Sequence, residues 1–267
     1  MPDYLGQLGG LVPIPTASEI SPSRPSRHRV SVSVEGEARA QLLPRPLSRS
    51  WAVSNRGVSP GEFDVINAFA LGVYGHGPFV YVGADARSLS VLTPAQSALT
   101  NMGPGFTPAG PVTVQGVSLP VSAAVSVPSS WRGLVDVPVV PGVPVTASVW
   151  VQSATGAPII SVGWIVGGGI PETFSVTGSS GGMWQRLSWS GVAPAGAAQL
   201  RLGVRSSVTA VAGPQVTWTA SPVPYAMGRS AASVIVEDAS ATPSVLSPSA
   251  SYVSASYTIR EVGYAGW

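Results

Sequence analysis

Cysteine and lysine are absent from the 267-residue sequence, and only 10% of its residues carry a charged side chain. The lack of cysteine excludes disulfides and metal sites built on thiolates. The charged share is well below the quarter that is usual for globular proteins, in which charge keeps a monomer soluble and protects sheet edges. Two interpretations stay open: partners cover much of the surface, or serine and threonine hydroxyls keep it soluble.

Net charge and hydropathy argue against two classes of function. A net charge of +2 is too small to indicate binding to nucleic acid or to a membrane surface. The longest apolar run, residues 159–170, is interrupted by four glycines and is shorter than the roughly 20 residues of a membrane span. We therefore expect no nucleic-acid partner, no membrane insertion and, from the N-terminal residues, no secretory signal peptide.

Residues suited to catalysis are few. The two histidines, His28 and His76, are isolated from each other and from any metal-ligand spacing. Residues 178–182, Gly-Ser-Ser-Gly-Gly, have the spelling of a nucleophile elbow, but they join two predicted strands and no histidine follows position 76. We expect no enzyme activity, no catalytic residue, no metal ligand and no cofactor.

Carboxylates leave two alternatives open. A glycosidase needs two carboxylates that face each other across a cleft, and the strand-rich region between 99 and 224 offers only Asp136 and Glu172. This scarcity argues against a glycosidase. A bound Ca²⁺ stays open because oxygen ligands suffice for it, although no calcium-loop spacing is present.

Five short segments alternate apolar with polar residues, which is the period of half-buried strands. They are 143–151, 159–166, 183–189, 199–204 and 215–218. Glycine and proline turns separate them without an intervening helical pattern, so an antiparallel β-sandwich is predicted. Two later strands, 233–237 and 256–262, either complete this sandwich or return to the strands that precede it.

One helix is predicted, from Pro60 to Tyr74. Ser59 is placed as N-cap, Pro60 occupies the first helical position, and Glu62 completes a capping box. Apolar residues then recur at three- and four-residue steps to form one face, and Gly75 can end the helix. The segment 1–26 has no such period; it is rich in glycine, proline and serine and is predicted to be an extended N-terminal arm.

Tryptophan is the residue type that most suggests a binding role. Six of the eight tryptophans lie between positions 99 and 224. Aromatic faces stack on sugar rings as they do on other apolar surfaces, whereas the plain alternative is that these rings fill the space between two sheets. Trp184 and Trp189 fall on opposite faces of one predicted strand, of which only one is core. Candidate glycan-contact residues are Trp164, Trp184 and Trp218.

Several stretches carry a resemblance to a known family. They are Arg-Ser-Trp-Ala-Val-Ser at 49–54, the capped helix with its Phe-Asp-Val-Ile-Asn-Ala-Phe core, Gly-His-Gly-Pro-Phe-Val-Tyr-Val at 75–82, and Ser-Val-Leu-Thr-Pro-Ala-Gln-Ser at 90–97. Together they resemble the N-terminal region of minor tail proteins of long-tailed actinobacterial phages. Those proteins look like distal tail proteins, which form a ring under the tail tube. The closing stretch 256–263, Ser-Tyr-Thr-Ile-Arg-Glu-Val-Gly, is similar to the last strand of that domain.

A second resemblance lies inside the predicted sandwich. Val-Pro-Gly-Val-Pro-Val-Thr-Ala-Ser-Val-Trp-Val at 140–151 and Trp-Gln-Arg-Leu-Ser-Trp-Ser-Gly-Val-Ala-Pro-Ala-Gly at 184–196 look like a jelly roll of the carbohydrate-binding-module type. The resemblances imply a mainly β fold of two β-sandwich units. These are a discontinuous distal-tail-like ring domain, residues 27–98 plus 225–267 with one helix near 60–74, and an inserted jelly-roll sandwich, residues 99–224.

The function that the resemblances imply is structural. They imply a virion protein of the tail tip that forms a homo-oligomeric, hexameric ring, contacts the tail tube protein and other tail-tip proteins, and is assembled in the host cytoplasm. It would link the tube to the baseplate or to host-recognition parts. The alternative is a module carried on the tail that binds host surface polysaccharide.

Overall fold

The computed structural model describes residues 2–15, 17–23, 28–32, 38–42, 49–100, 102, 104–126, 131–205, 207–247 and 250–263. The protein is mainly β, with 54% of residues in strands and 9% in helices, which confirms the predicted fold class. None of the helices in these ranges is long and apolar enough to cross a membrane.

The strands before and after the sandwich region have the following bounds. They are β1 Asp3–Gln7, β2 Gly10–Ile14, β3 Glu19–Ser23, β4 His28–Val32, β5 Ala38–Leu42, β6 Ser50–Val58, β7 Phe79–Val82, β19 Ala231–Ser247 and β20 Ala250–Glu261. Helix α1 spans Pro60–Ala70, a 3₁₀ turn spans Ala84–Arg87, and helix α2 spans Pro94–Ser97.

The strands of the sandwich region lie between these two groups in the chain. They are β8 Phe106–Ala109, β9 Val112–Val114, β10 Val117–Leu119, β11 Ser122–Val125, β12 Arg132–Pro138, β13 Pro144–Gln152, β14 Ile159–Val166, β15 Thr173–Thr177, β16 Gln185–Val192, β17 Ala197–Val204 and β18 Ala210–Thr217. All described pairings between strands are antiparallel.

A seven-stranded sheet joins the two ends of the chain, in the order β2-β1-β7-β19-β20-β6-β3. Strand β19 pairs with β7 from Ala231 opposite Val82, and β20 pairs with β6 from Arg260 opposite Ser50. The two strands after residue 230 therefore return to the first strands and do not complete the sandwich. The exact domain boundaries stay a prediction.

The N-terminal segment is a hairpin and not the extended arm predicted for residues 1–26. Strands β1 and β2 pair with each other, and β1 also pairs with β7. Leu5 and Ile14 are buried, at 0% and 2% exposure, because the hairpin places them on the covered face of the sheet. The apolar residues of this segment are thus too few to show a period but sufficient to anchor a hairpin. Residues 1, 16 and 24–26 of the predicted arm lie outside the described ranges.

Helix α1 covers one face of this sheet. The predicted capping box is present: Ser59 Oγ accepts a hydrogen bond from the Glu62 amide at 3.3 Å, and Glu62 Oε2 accepts one from the Ser59 amide at 2.9 Å. Ile66 and Phe69 pack into the cluster of apolar residues on this face. The helix ends at Ala70, so the prediction was wrong for residues 71–74, where Gly72 adopts a left-handed φ of +74°.

The opposite face of the seven-stranded sheet packs on the sandwich. Val80, Val82 and Ala231 belong to the same apolar cluster as the interior of the sandwich. That interior lies between a five-stranded sheet, β16-β13-β18-β11-β8, and a four-stranded sheet, β12-β17-β14-β15. The seven-stranded sheet is therefore a central layer between α1 and the sandwich.

Candidate functional site

Two of the three predicted glycan-contact residues lie in the core. Trp164 and Trp218 are 4% and 1% exposed. The Trp218 ring meets the edge of Tyr4 with 5.4 Å between centroids, in the contact between the sandwich and the N-terminal hairpin. A ligand in solution cannot stack on a buried ring, so the prediction was wrong for these two residues. Their alternation with polar residues did not reveal that both neighbouring layers cover them.

Trp184 is the predicted contact residue that is partly accessible. It is half-buried, immediately before β16, and packs against the small apolar cluster around Trp150. The preceding residue, Met183, is 75% exposed. The role of Trp184 in glycan contact stays a prediction.

The outer face of the five-stranded sheet is lined by polar side chains and one tryptophan. Ser148 and Trp150 on β13, Gln215 on β18 and Arg186 on β16 lie side by side on this face. Arg186 Nη2 donates to Ser148 Oγ at 3.0 Å and to Gln215 Oε1 at 2.5 Å, and its guanidinium lies 4.9 Å from the centroid of the Trp150 ring. This arrangement has the aromatic and hydrogen-bonding groups that a polar ligand would use.

The chain itself covers this face. Residues 221–227 cross it: the Val223 carbonyl accepts from Arg186 Nη2 at 2.9 Å, and the Pro224 carbonyl accepts from Gln215 Nε2 at 3.0 Å. The Tyr225 ring meets the edge of Trp150 with 5.3 Å between centroids. We call residues 221–227 the covering segment.

Burial under the covering segment is nearly complete. Ser148, Trp150 and Gln215 are each 2% exposed, and burial lowers the pKa of Arg186. Hairpin β9–β10 covers the other side of Trp150 with Val114 and Leu119. The polar face therefore binds the segment of the chain that leads to β19. In this conformation the face is not accessible to a polysaccharide.

A second aromatic group lies near the edges of the two sheets. The Trp189 ring on β16 stacks on Phe174 of β15 with 5.1 Å between centroids and a 27° angle, and it meets Trp164 edge to face at 5.5 Å. Trp189 and Phe174 are both half-buried. Trp189 is thus a partly accessible aromatic residue that was not among the sequence-based candidates.

The carboxylates of the sandwich do not form a facing pair. Asp136 is held by Arg201 through two hydrogen bonds of 2.6 Å, which raise the pKa of the arginine. Glu172 is exposed in the turn before β15. Within the described ranges there is no group of three or more His, Cys, Asp or Glu placed to hold a metal ion. His76 is exposed after α1, and the side chain of His28 lies outside the described residues.

A pocket lies on the α1 side of the seven-stranded sheet, away from all sequence-based candidates. It has a volume of about 490 Å³. Its lining residues are Asp3, Ile20, Arg49, Trp51, Tyr81, Gly83, Ala84, Asp85, Arg229 and Ser230. These residues come from five separate parts of the chain, so no local pattern in the sequence marks the pocket. We call it the Asp3 pocket.

The Asp3 pocket combines aromatic walls with charges of both signs. Trp51 and Tyr81 have centroids 5.6 Å apart, and Asp3 Oδ1 accepts a hydrogen bond from the Ala84 amide at 2.6 Å. Burial raises the pKa of the Asp3 carboxyl above its ordinary value, and burial also raises the pKa of Tyr81 far above its own. The pocket therefore holds a carboxyl group in an environment that disfavours its charge.

Comparison with known proteins gives distant structural likenesses only. No family model and no curated protein matches the chain. The enzymatically active domain of tailspike protein 4 of bacteriophage CBA120 is 12% identical with a TM-score of 0.35, over 49% of this chain and 22% of the tailspike chain. A carbohydrate-binding module of Cellvibrio mixtus lichenase 5A, solved with cellotriose, is 12% identical with a TM-score of 0.34, over 49% of this chain and 99% of the module.

Proposed function

We propose that the protein is a structural component of a phage tail tip that acts without catalysis. In this proposal it assembles as a homo-oligomeric ring, sixfold as in the family that its sequence resembles. The ring sits at the end of the tail tube and links it to the baseplate or to host-recognition parts. The observation that carries the proposal is a contrast between two surfaces. The protein closes the polar sheet face with its own chain, and it leaves an apolar group uncovered elsewhere.

The uncovered group is the turn that follows α1. Leu71, Val73 and Tyr74 are 72%, 71% and 49% exposed, and we call them the 71–74 patch. Contiguous apolar residues on a surface mark sites of protein association. In a chain with so few charges, such a patch is better suited to a permanent contact than to free solution.

Two-stranded ribbons support the same proposal. Among the described strands, β4 and β5 pair only with each other. Strand β19 pairs with β7 only up to Val234, and β20 pairs with β6 only from Val253 onward, so the far end of the β19–β20 hairpin extends beyond its neighbours. Isolated two-stranded ribbons are marginally stable, so contacts with other subunits would stabilise them.

Mass photometry of the full chain, alone and with tail tube protein, tests this proposal. We expect a closed oligomer for the natural sequence and a monomer for Leu71→Ser combined with Val73→Ser. Val192→Ser is the matched control because Val192 is 60% exposed on the sandwich, so we expect it to leave assembly intact. A chain that stays monomeric in both conditions overturns the proposal, and immunogold labelling away from the tail tip overturns the location.

Binding of host surface polysaccharide is the second candidate function. The half-buried stack of Trp189 on Phe174 favours it, because a partly accessible ring offers area to a sugar. The experiment measures how much of the full chain sediments together with host cell walls. The natural sequence, Trp189→Ala and Trp184→Ala are compared. Loss of sedimentation in one variant assigns the contact residue, and no sedimentation of the natural sequence removes this function.

A further inference from the structure

The floor of the Asp3 pocket is a buried carboxylate. Asp3 is 6% exposed and lines the pocket together with Tyr81 and Trp51. The carboxylate accepts hydrogen bonds from the Ala84 amide and from the Tyr81 hydroxyl, and neither donor carries a positive charge. Removing a carboxylate from water is unfavourable unless an opposite charge or further hydrogen bonds compensate. Compensation for Asp3 within the described residues must therefore be found among the other groups of the pocket.

Arg49, one of the two arginines that line the pocket, is already neutralised. Arg49 binds Glu261 through Nε at 2.9 Å and Nη2 at 3.2 Å, and it donates from Nη1 to the Arg229 carbonyl at 2.7 Å. The described ion pairs are Arg49–Glu261, Arg201–Asp136 and Arg260–Glu237, and none of them includes Asp3.

The remaining charges of the pocket lie at its rim. Asp85 and Arg229 are both exposed there. With Arg49 balanced by Glu261, the two aspartates outweigh Arg229 by one negative charge. A ligand that neutralises the pocket is therefore a cation.

A second, independent observation points to a ligand. Ser230 is 3% exposed and lines the pocket, and its Oγ has no hydrogen-bond partner. Buried hydroxyls nearly always have a partner, and leaving one without a partner is unfavourable. A cationic donor that enters the pocket would give this hydroxyl a partner and would supply the counter-charge that Asp3 lacks.

The walls favour a flat cation on an aliphatic stem. Tyr81 provides ring surface and Ile20 aliphatic surface, and the Trp51 ring already carries the Arg49 guanidinium 5.0 Å from its centroid. A guanidinium is planar, stacks on aromatic rings and carries five donors, which suits a carboxylate better than an ammonium does. The volume of about 490 Å³ lies in the range of ligand pockets, roughly 300–1,000 Å³.

We propose that the Asp3 pocket binds an arginine side chain that a protein partner inserts. The guanidinium donates to Asp3 and Ser230, and its methylene stem lies against Tyr81 and Ile20. Neutral sugars do not match the pocket because they leave the buried carboxylate without a counter-charge. This site is separate from the 71–74 patch and from Trp189, so it does not depend on the ring or on glycan binding.

Isothermal titration of the full chain with capped tripeptides tests the proposal. The probes are Ac-Gly-Arg-Gly-NH₂ and Ac-Gly-citrulline-Gly-NH₂, which has nearly the same shape without the charge. We expect the arginine peptide to bind and the citrulline peptide to bind at least tenfold more weakly. Equal binding of the two, or binding of neither, overturns the proposal. Agmatine, a small molecule with a guanidinium group, is a third probe. Binding of agmatine without binding of the arginine peptide would show that the ligand is a small cation and would overturn the proposal that a protein partner supplies it.

Variants assign the binding to this pocket. Asp3→Asn keeps an acceptor for the Ala84 amide and removes the charge, and we expect roughly thirtyfold weaker binding of the arginine peptide. Asp64→Asn is the matched control because Asp64 is exposed on α1, and we expect unchanged binding. Asp85→Asn is an exposed change that keeps the fold, and we expect weaker binding from it as well. Unchanged binding in both Asp3→Asn and Asp85→Asn overturns the proposal.

Discussion

Arg49 and Glu261 are 212 residues apart in the sequence and form an ion pair with two hydrogen bonds, Nε to Oε2 at 2.9 Å and Nη2 to Oε1 at 3.2 Å. Their side chains are 12% and 3% exposed. The Glu261 carboxylate also accepts from the Arg49 amide at 3.0 Å. The pair thus ties the last strand of the seven-stranded sheet to the start of β6.

Breaking this pair destabilises the fold. We expect Glu261→Gln to lower the free energy of unfolding by about 3–5 kcal/mol, because the buried guanidinium of Arg49 loses its counter-charge. The matched control is Glu237→Gln in the same sheet. Glu237 pairs with Arg260, and the side chains of Arg260 and Glu237 are 53% and 32% exposed. We expect this variant to lower the free energy of unfolding by only about 0–1 kcal/mol. Urea unfolding measures both, and equal effects would contradict the role assigned to burial.

The capping box of α1 contributes a smaller and local stabilisation. We expect Ser59→Ala to cost about 1 kcal/mol, because the Glu62 amide loses its acceptor, and Ser59→Gly to cost only a few tenths. Hydrogen bonds from Ser59 to the Glu62 carboxylate lower the pKa of that carboxyl. Thermal unfolding of the two variants gives the comparison. A larger loss for glycine than for alanine would show that capping is not the cause.

Buried and partly exposed tryptophans should contribute differently to the stability of the fold. We expect Trp218→Ala to cost about 3–5 kcal/mol, since the ring is 1% exposed and packs between the sandwich and Tyr4. Trp184→Ala removes a half-buried ring and should cost clearly less. Urea midpoints of the two variants test this, and a similar loss in both would refute the distinction.

Asp3 makes the stability of the fold depend on pH. Its folded-state pKa is raised by burial, so between the unfolded and the folded pKa the native state binds more protons than the unfolded state. Stability therefore falls as the pH rises through this window, and the unfavourable contribution is absent below it. We therefore expect the free energy of unfolding of Asp3→Asn, taken relative to that of the natural sequence, to be higher near about pH 7 than near about pH 3.

Unfolding free energies of both proteins at the two pH values measure this difference. Asp64→Asn serves again as the control for the substitution itself, because Asp64 is exposed on α1. A relative stability of Asp3→Asn that is the same at both values would mean that burial does not disfavour the charge.

The covering segment is held by hydrogen bonds from Arg186 to the Val223 carbonyl and from Gln215 to the Pro224 carbonyl. Replacing Arg186 with Met keeps the stem on Trp150 but leaves Gln215 Oε1 and the Val223 carbonyl without this donor. We expect faster amide hydrogen exchange over residues 221–227, because losing a donor to buried acceptors costs about 1–3 kcal/mol. Exchange in β14 should not change, because the loss is local; faster exchange throughout the sandwich would contradict this expectation.

Local features of the sequence were sufficient for the mainly β class, for the start of α1 and for five strands of the sandwich region, β13, β14, β16, β17 and β18. They did not predict β8 to β12 or β15. Ser59, Pro60 and Glu62 lie within one turn of each other, and alternation along a strand is visible in consecutive residues. The sequence also showed that Trp184 and Trp189 fall on different faces. It did not show which face another layer covers, since that depends on segments distant in the chain.

Tertiary structure alone decided the remaining features. Residues 3–14 became a hairpin because β1 finds β7 as its neighbour, and Trp218 became core because Tyr4 lies over it. The Asp3 pocket exists only because strand pairing brings residues near 3, 50, 81 and 230 together. The physical reason is common to all three. A period in the sequence reports the conformation of one segment, whereas burial and charge pairing depend on which segments meet.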